Sequence, residues 1–239
     1  MKKLYESLLD NENTLLDKTD IKSKIEQWLE KYKDPYKIIN YKINNDNTID
    51  CERITIDESY KHRNKFISEF KFEGFPDYIR FNKVKFFEID NPVFFKDENC
   101  QGFPKECYYM TLKSLRFKHL NIPTEKITGV LKICYCSQLE SINTKLNSLD
   151  DLILNELYEL KSLQNIVKND INMITLRRLS SLTSLNGLPD KIGYLDIIDC
   201  YKLWDLKGCP RKIKTFHTIG FSVDKEFADG LRKINNIKD

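Results

Sequence analysis

The sequence predicts a fold of the α/β class that is mainly β: a solenoid whose coils stack into one parallel strand ladder, with a helical cap at each end. A pattern that begins with Leu-x-x-Leu recurs four times, with its first residue at Leu139, Leu160, Leu182 and Leu203. Each unit also carries a couplet of core candidates two positions apart, at Leu152/Leu154, Ile174/Leu176, Leu195/Ile197 and Phe216/Thr218. A spacing of two places both side chains on one face of a short strand.

The four leucines are 21, 22 and 21 residues apart, which is the period of a leucine-rich-repeat solenoid. Three residues after each couplet comes a further predicted core position, which forms the series Cys136, Leu157, Leu179, Cys200 and Phe221. One coil cannot bury these side chains alone, so we expect neighbouring coils to cover them. Gly187-Leu-Pro189 and Gly208-Cys-Pro210 predict the corner that precedes the strand, because glycine permits a turn and proline cannot donate to a ladder.

Four regions follow along the chain. For residues 1–35 the sequence predicts a polar leader followed by a capping helix. The helix is indicated by apolar residues at helical spacing, at Ile21, Ile25, Trp28, Leu29 and Tyr32. Residues 36–138 predict irregular repeat coils, which open with strand-like alternation around a turn at Asn44 to Asn47. Residues 139–223 hold the regular repeats, and residues 224–239 a helix with Phe227, Leu231 and Ile234 on one face, capped by Asp224. We expect residues 36–239 to form one continuous domain.

Two departures from the repeat lead to further expectations. The units that begin at Leu139 and Leu160 lack the Gly-x-Pro corner, so we expect a helical or less ordered corner there, and a longer connection near residues 88–100. The stretch 150–160 fits a helix as well as a strand, with Leu152, Ile153 and Leu157 on the helical face. Alignment with the neighbouring units favours the strand.

Composition limits the classes of partner. Lysine and arginine number 39 against 36 acidic residues, so the formal charge of +3 creates no strong field for nucleic acid or an anionic membrane. The sequence contains no apolar run of membrane-spanning length. Seven cysteines, an odd number, favour reduced thiols in a reducing cytosol over a disulfide framework.

Candidate chemical groups are few. Cys134-Tyr-Cys136 resembles half of a zinc site but lacks a second pair, and the repeat alignment predicts a buried thiol at Cys136 and likewise at Cys209. No glycine-rich phosphate loop occurs. We therefore predict no catalytic residue, cofactor or metal. An enzyme with a site in the irregular first half, near His62, Cys100 and Cys107, remains an alternative.

The strand residues that point away from the core form the predicted binding surface. Its candidate residues are Lys132, Asp151, Met173, Thr175, Arg177, Tyr194, Asp196 and His217. This mixture of isolated charges with Met and Tyr favours a protein partner over a polyanion. Aromatic residues between positions 70 and 110 are expected to lie mostly in the core, with some in an exposed patch; they include Phe81, Phe86, Phe87, Phe94, Phe95, Tyr108 and Tyr109.

Several short motifs resemble a known group. The stretch from Tyr41 to Asp50, with Phe75-Pro76 and Phe81-Asn-Lys-Val84, resembles the first segment of leucine-rich-repeat-like proteins encoded by tailed bacteriophages and prophages, and Leu182-Thr-Ser-Leu-Asn-Gly-Leu-Pro189 resembles their repeat. The leader, residues 1–18, is similar to an amino-terminal segment of crAss-like phage proteins. The resemblance implies a phage β-solenoid without catalytic residues.

In that setting we expect a module that binds a host or phage protein and is monomeric unless it is assembled in a virion. A virion-associated structural protein directed by its leader is the alternative that the resemblance adds.

Overall fold

The computed structural model describes residues 20–58, 72, 74–91, 100, 102–219 and 224–237. Nine strands form one sheet in the order β1-β2-β3-β4-β6-β8-β9-β10-β11, and β5 and β7 form a separate pair. The elements are α1 (20–32), β1 (Ile39–Ile43), β2 (Ile49–Asp57), β3 (Phe81–Asp90), β4 (Glu106–Lys113), β5 (His119–Ile122), β6 (Lys126–Cys134), β7 (Ser141–Thr144), β8 (Asp151–Asn155), β9 (Ile171–Arg177), β10 (Lys191–Ile198), β11 (Lys212–Ile219) and α2 (Lys225–Asn235).

The large sheet is a parallel ladder from β2 to β11, and its register confirms the predicted couplets. Leu152 pairs with Ile174, which pairs with Leu195 and then Phe216, and the couplet partners Leu154, Leu176 and Ile197 align two positions later. All of these side chains are buried. The ladder continues without interruption into the first half, where Phe87, Met110 and Leu131 occupy the same buried column. The described chain is therefore a mainly β solenoid.

The predicted third core position is also confirmed where it is described. Cys136, Leu157, Leu179 and Cys200 are fully buried, one per coil, whereas Phe221 lies outside the described residues. Each follows a residue in the left-handed region, with φ between 53° and 58°, namely Tyr135, Glu156, Arg178 and Asp199. This sharp turn at the carboxyl end of each strand directs the next side chain into the core.

Two helices close the described core. In α1, Ile25, Trp28, Leu29 and Tyr32 are buried, and the Trp28 ring lies 6.1 Å from that of Phe72. In α2, Asp224 accepts a hydrogen bond from the Phe227 N–H at 2.9 Å, as predicted for the N-cap. The predicted apolar face of α2 was wrong at Ile234, which is 42% exposed, because Ala228 rather than Ile234 lies beside Phe227 and Leu231 in the core.

Corners between strands follow the sequence signals in part. Gly187 and Gly208 have φ of 100° and 71°, which confirms the Gly-x-Pro turns. A helical or less ordered corner was expected in the units at Leu139 and Leu160, and neither unit forms a helix. The unit at Leu160 has turns and bends, in agreement with the less ordered alternative, and its Asn165 takes the left-handed conformation (φ 64°) that Gly187 takes one coil later. The unit at Leu139 contains strand β7 instead. Residues 150–160 contain strand β8 and no helix.

The connection expected near residues 88–100 starts later than predicted. Strand β3 continues to Asp90, so residues 88–90 belong to the ladder, and residues 92–99 lie outside the described part of the chain. The expected turn at Asn44 to Asn47 does join β1 and β2, which pair antiparallel at the amino-terminal edge of the sheet. The leader, residues 1–19, also lies outside the described residues. Among those described, no helix combines the length and the apolarity needed to cross a bilayer.

Candidate functional site

The outward face of the large sheet brings the predicted binding residues together. We define this face as the non-core side chains of β2 to β11, which lie in three columns that run across the strands. The register places Lys132, Thr175, Asp196 and His217 in the first column, Asp151, Met173 and Tyr194 in the second, and Arg177 in the third. Each of the eight is at least partly exposed. The sequence therefore placed them on the correct side of the sheet.

The second column is an apolar row with one carboxylate. Its members, each on a neighbouring strand from β3 to β10, are Phe86, Tyr109, Val130, Asp151, Met173 and Tyr194. The rings of Phe86 and Tyr109 have centroids 6.4 Å apart, and the Arg53 guanidinium lies 4.5 Å from the Phe86 centroid. Aromatic and Met side chains on neighbouring strands thus form a continuous surface.

The upstream half of this row was not predicted from the sequence. The aromatics of residues 70–110 were expected to lie mostly in the core, with some in an exposed patch. In the structure Phe81 and Phe87 are buried, Phe86 and Tyr109 face outward, and Tyr108 is half exposed. Phe94 and Phe95 lie outside the described residues. The alternation of Phe86 with Phe87 was the available signal, since neighbouring strand residues point to opposite faces.

Charged groups on the outward face are partly paired. Lys113 Nζ donates to Glu88 Oε1 at 2.7 Å, and His217 Nδ1 lies 2.9 Å from Asp196 Oδ1. Asp151 has no ion-pair partner among the described residues. Burial raises the pKa of the Asp151 carboxyl, and the neighbouring Asp150 carboxylate adds to the rise. The row therefore holds an unpaired carboxylate between Val130 and Met173.

The cysteines are buried free thiols. Burial raises the pKa of Cys51, Cys200 and Cys209 to about 11, and that of Cys107 and Cys136 to about 12. These thiols hold their protons at neutral pH, which disfavours nucleophilic attack. The buried-thiol prediction for Cys136 and Cys209 is confirmed.

The residues of the alternative enzyme site do not share one concavity where they are described. Cys107 lines a depression of about 530 Å³ beside Lys85 and Tyr108, whereas Cys100 lines another of about 700 Å³ beside Asn121 and Asn143. His62 lies outside the described residues. In the described ranges, no group of three His, Cys, Asp or Glu side chains is arranged to hold a metal ion.

A pair of hydroxyl and imidazole groups occurs on the smaller sheet. His119 Nδ1 lies 2.8 Å from Ser141 Oγ, because the two residues are register partners on β5 and β7. Both side chains lie at the surface, and no described acidic side chain hydrogen-bonds to the imidazole. A serine nucleophile is normally activated by a histidine that a third group orients, so this pair is an incomplete set.

The described chain is thus a parallel β-solenoid with a mixed apolar and charged outward face. No protein-family model, no curated protein and no solved structure matches the chain.

Proposed function

We propose that this protein is a non-enzymatic, leucine-rich-repeat-like module that binds another protein on the outward face of its sheet. The single observation that carries the proposal is the apolar row of the second column, six residues on six neighbouring strands. Neighbouring strands lie about 4.8 Å apart, so the row extends over roughly 24 Å. That length suits a protein segment better than a small metabolite.

The chemistry of the row supports a protein partner. Aromatic, Met and Arg side chains are the residues that dominate binding energy at interfaces, and here they are Phe86, Tyr109, Met173, Tyr194 and, in the third column, Arg177. They are held on strands, so little conformational entropy is lost on binding. The raised thiol pKa values and the separation of Cys100 from Cys107 weigh against the enzyme alternative.

The biological setting is part of the proposal and depends on the resemblance of the short motifs alone. We propose a phage or prophage protein that recognises a host or phage protein in the host cytoplasm. Packaging into the virion through residues 1–18 stays an alternative. Mass spectrometry of purified particles tests it, and particles without the protein would contradict it.

The test of the binding function compares two variants of the tagged full-length chain. The face variant carries Arg177→Ser, Tyr194→Ser and Asp196→Ser. The matched control carries Glu226→Ser, Lys233→Ser and Ile234→Ser, three exposed residues of α2 that lie off the outward face. Both are used to capture proteins from extracts of the bacterium that carries the gene.

We expect a protein that the wild type and the control retain and the face variant loses. Its dissociation constant, measured by calorimetry with the purified partner, should rise at least about tenfold in the face variant. Equal capture by wild type and face variant would contradict the assignment of this face.

A further inference from the structure

A hydrogen-bonded row of five side chains crosses three coils at the carboxyl ends of the strands. Arg178 lies at its centre, with Nη1 donating to Glu156 Oε1 at 2.7 Å and Nε 3.5 Å from Asp199 Oδ2. On the outer sides, the Tyr158 hydroxyl donates to Glu156 Oε2 at 3.1 Å and the Tyr201 hydroxyl to Asp199 Oδ1 at 3.3 Å. We call these five residues the tyrosine–arginine row.

The row leaves its rings and part of its guanidinium open to solvent. Tyr158 is 39% exposed and Tyr201 is 65% exposed, although both hydroxyls are hydrogen-bonded. Arg178 Nη2 has no acceptor among the described residues. The hydrogen bonds fix the ring positions before any ligand arrives, which lowers the entropic cost of binding.

The spacing of the rings leaves a gap between them. Tyr158, Ser180 and Tyr201 occupy equivalent positions on three successive coils, each two residues after a left-handed corner. The two tyrosines are therefore about 10 Å apart, two strand spacings, and the small Ser180 lies between them. Tyr135, 52% exposed, takes the equivalent left-handed corner one coil before Glu156 and extends the aromatic surface on that side.

The chemistry of the row selects among ligands. Two carboxylates flank one guanidinium, so the row carries a net negative charge and disfavours phosphate or another anion. Donors and acceptors alternate between the rings. A purely apolar ligand would cover these polar groups without offering them hydrogen-bond partners. What suits the row is a neutral ligand that has apolar faces for the rings and many hydroxyl groups for the polar atoms.

We propose that the tyrosine–arginine row is a binding site for a neutral saccharide chain, whose sugar faces stack on Tyr158 and Tyr201. Sugar hydroxyls accept hydrogen bonds from Arg178 Nη2 and donate to the free lone pairs of Glu156 and Asp199. Because the rings lie along the solenoid axis, the chain lies across the coils. This site is separate from the outward face and does not depend on the proposed protein-binding function.

The experiment is native affinity electrophoresis of the full-length chain in gels that contain one soluble polysaccharide each. The probes are dextran, mannan, arabinoxylan, mixed-linkage β-glucan and hydroxyethyl cellulose, with polygalacturonate as the anionic comparison. The test variant is Tyr158→Ser with Tyr201→Ser. The matched control is Ile39→Ser with Ile234→Ser, which removes two exposed apolar side chains, 41% and 42% exposed, outside both the outward face and the tyrosine–arginine row.

We expect at least one neutral polysaccharide, and not polygalacturonate, to retard the wild type and the matched control. The test variant should bind about tenfold or more weakly, since it loses two ring contacts. Tyr158→Phe with Tyr201→Phe keeps the rings and loses their anchoring hydrogen bonds, so its affinity should lie between the two. This second variant decides the matter if circular dichroism shows that the serine variant is unfolded.

Two outcomes would overturn the proposal: no retardation by any neutral polysaccharide, or equal retardation of the wild type and the serine variant. If the first outcome is accompanied by loss of a captured protein in the serine variant, the row belongs to a protein interface. If the outward-face experiment finds no protein partner, the conclusions drawn from the polysaccharide gels stay the same.

Discussion

Truncation of Leu154 tests the strand register on which the fold depends. Leu154 is fully buried in β8, between Ile133 on β6 and Leu176 on β9, whereas Ile153 faces outward and is partly exposed. In the helix that the same residues would also fit, Ile153 would face the core and Leu154 would not. The two substitutions Leu154→Ala and Ile153→Ala therefore distinguish the two structures.

The magnitude follows from the burial of the side chain. Leu154→Ala removes three buried carbons, a loss of about 2.4 kcal/mol at about 0.8 kcal/mol per methylene. The cavity left between Ile133 and Leu176 raises the expected loss in free energy of unfolding to roughly 3–5 kcal/mol. Ile153→Ala should cost about 1 kcal/mol or less, because much of its surface is already in contact with water.

Urea denaturation of the two variants, followed by circular dichroism and analysed by linear extrapolation, measures both losses. We expect the Leu154→Ala midpoint to fall well below that of Ile153→Ala. If Ile153→Ala were the more damaging change, or if Leu154→Ala cost less than about 1 kcal/mol, the assignment of inward and outward positions in β8 would be wrong.

Three further predictions follow from other parts of the chain. Gly193→Ala should lower the free energy of unfolding by about 1–3 kcal/mol in urea, because a β-carbon there would lie 2.5 Å from the Asn172 carbonyl oxygen; a gain would contradict the close approach of β9 and β10. All seven thiols should react slowly with Ellman's reagent at pH 8 and promptly in guanidinium, and fast native reaction at Cys107 would contradict its burial. Asp151→Asn should stabilise the protein at pH 7, because the folded pKa of Asp151 is raised and the ionised carboxyl therefore destabilises the fold. The difference between the denaturation curves should shrink as the pH falls through the folded pKa and disappear near about pH 3, where both folded and unfolded forms are protonated. A constant difference between pH 3 and pH 7 would exclude this cause.

The regular half of the fold was predictable because its core positions repeat at one period. Leu152, Ile174 and Leu195 are 22 and 21 residues apart and are register partners on neighbouring strands. The period of the sequence repeat therefore equals the number of residues between register partners. The outward positions followed from the strand alternation. Their placement therefore required no information beyond the period and the two-residue repeat.

The same ladder in the first half could not be predicted from the sequence, for two physical reasons. Its coils differ in length, since Arg53, Phe86 and Tyr109 are register partners although 33 and 23 residues separate them. The register also shifts between Ile49 and Cys51 and between Cys107 and Tyr109, and a shift of one residue disrupts the alternation of inward and outward side chains. A search for a fixed period therefore misses Phe86 and Tyr109.

The left-handed corner was missed because it requires a conformation and no particular side chain. The residues that take it on successive coils are Asn91, Ser114, Tyr135, Glu156, Arg178 and Asp199. A positive φ costs roughly 1–2 kcal/mol for a residue other than glycine. The corner N–H donates to a carbonyl of the next coil, as from Glu156 to Arg177 at 2.9 Å, a gain of about 1 kcal/mol that offsets much of this cost.

The same freedom explains why the tyrosine–arginine row can occur at this corner. The turn is held by a backbone hydrogen bond, so the fold does not require particular side chains at Glu156, Arg178 and Asp199. Their mutual ion pairs lie at the surface and are partly exposed, with 45% of the Arg178 side chain, 19% of Glu156 and 29% of Asp199 open to solvent, and such surface pairs contribute little to stability. A charge-paired row that the fold does not need, flanked on both sides by anchored tyrosines, is better explained by recognition of a ligand than by stability.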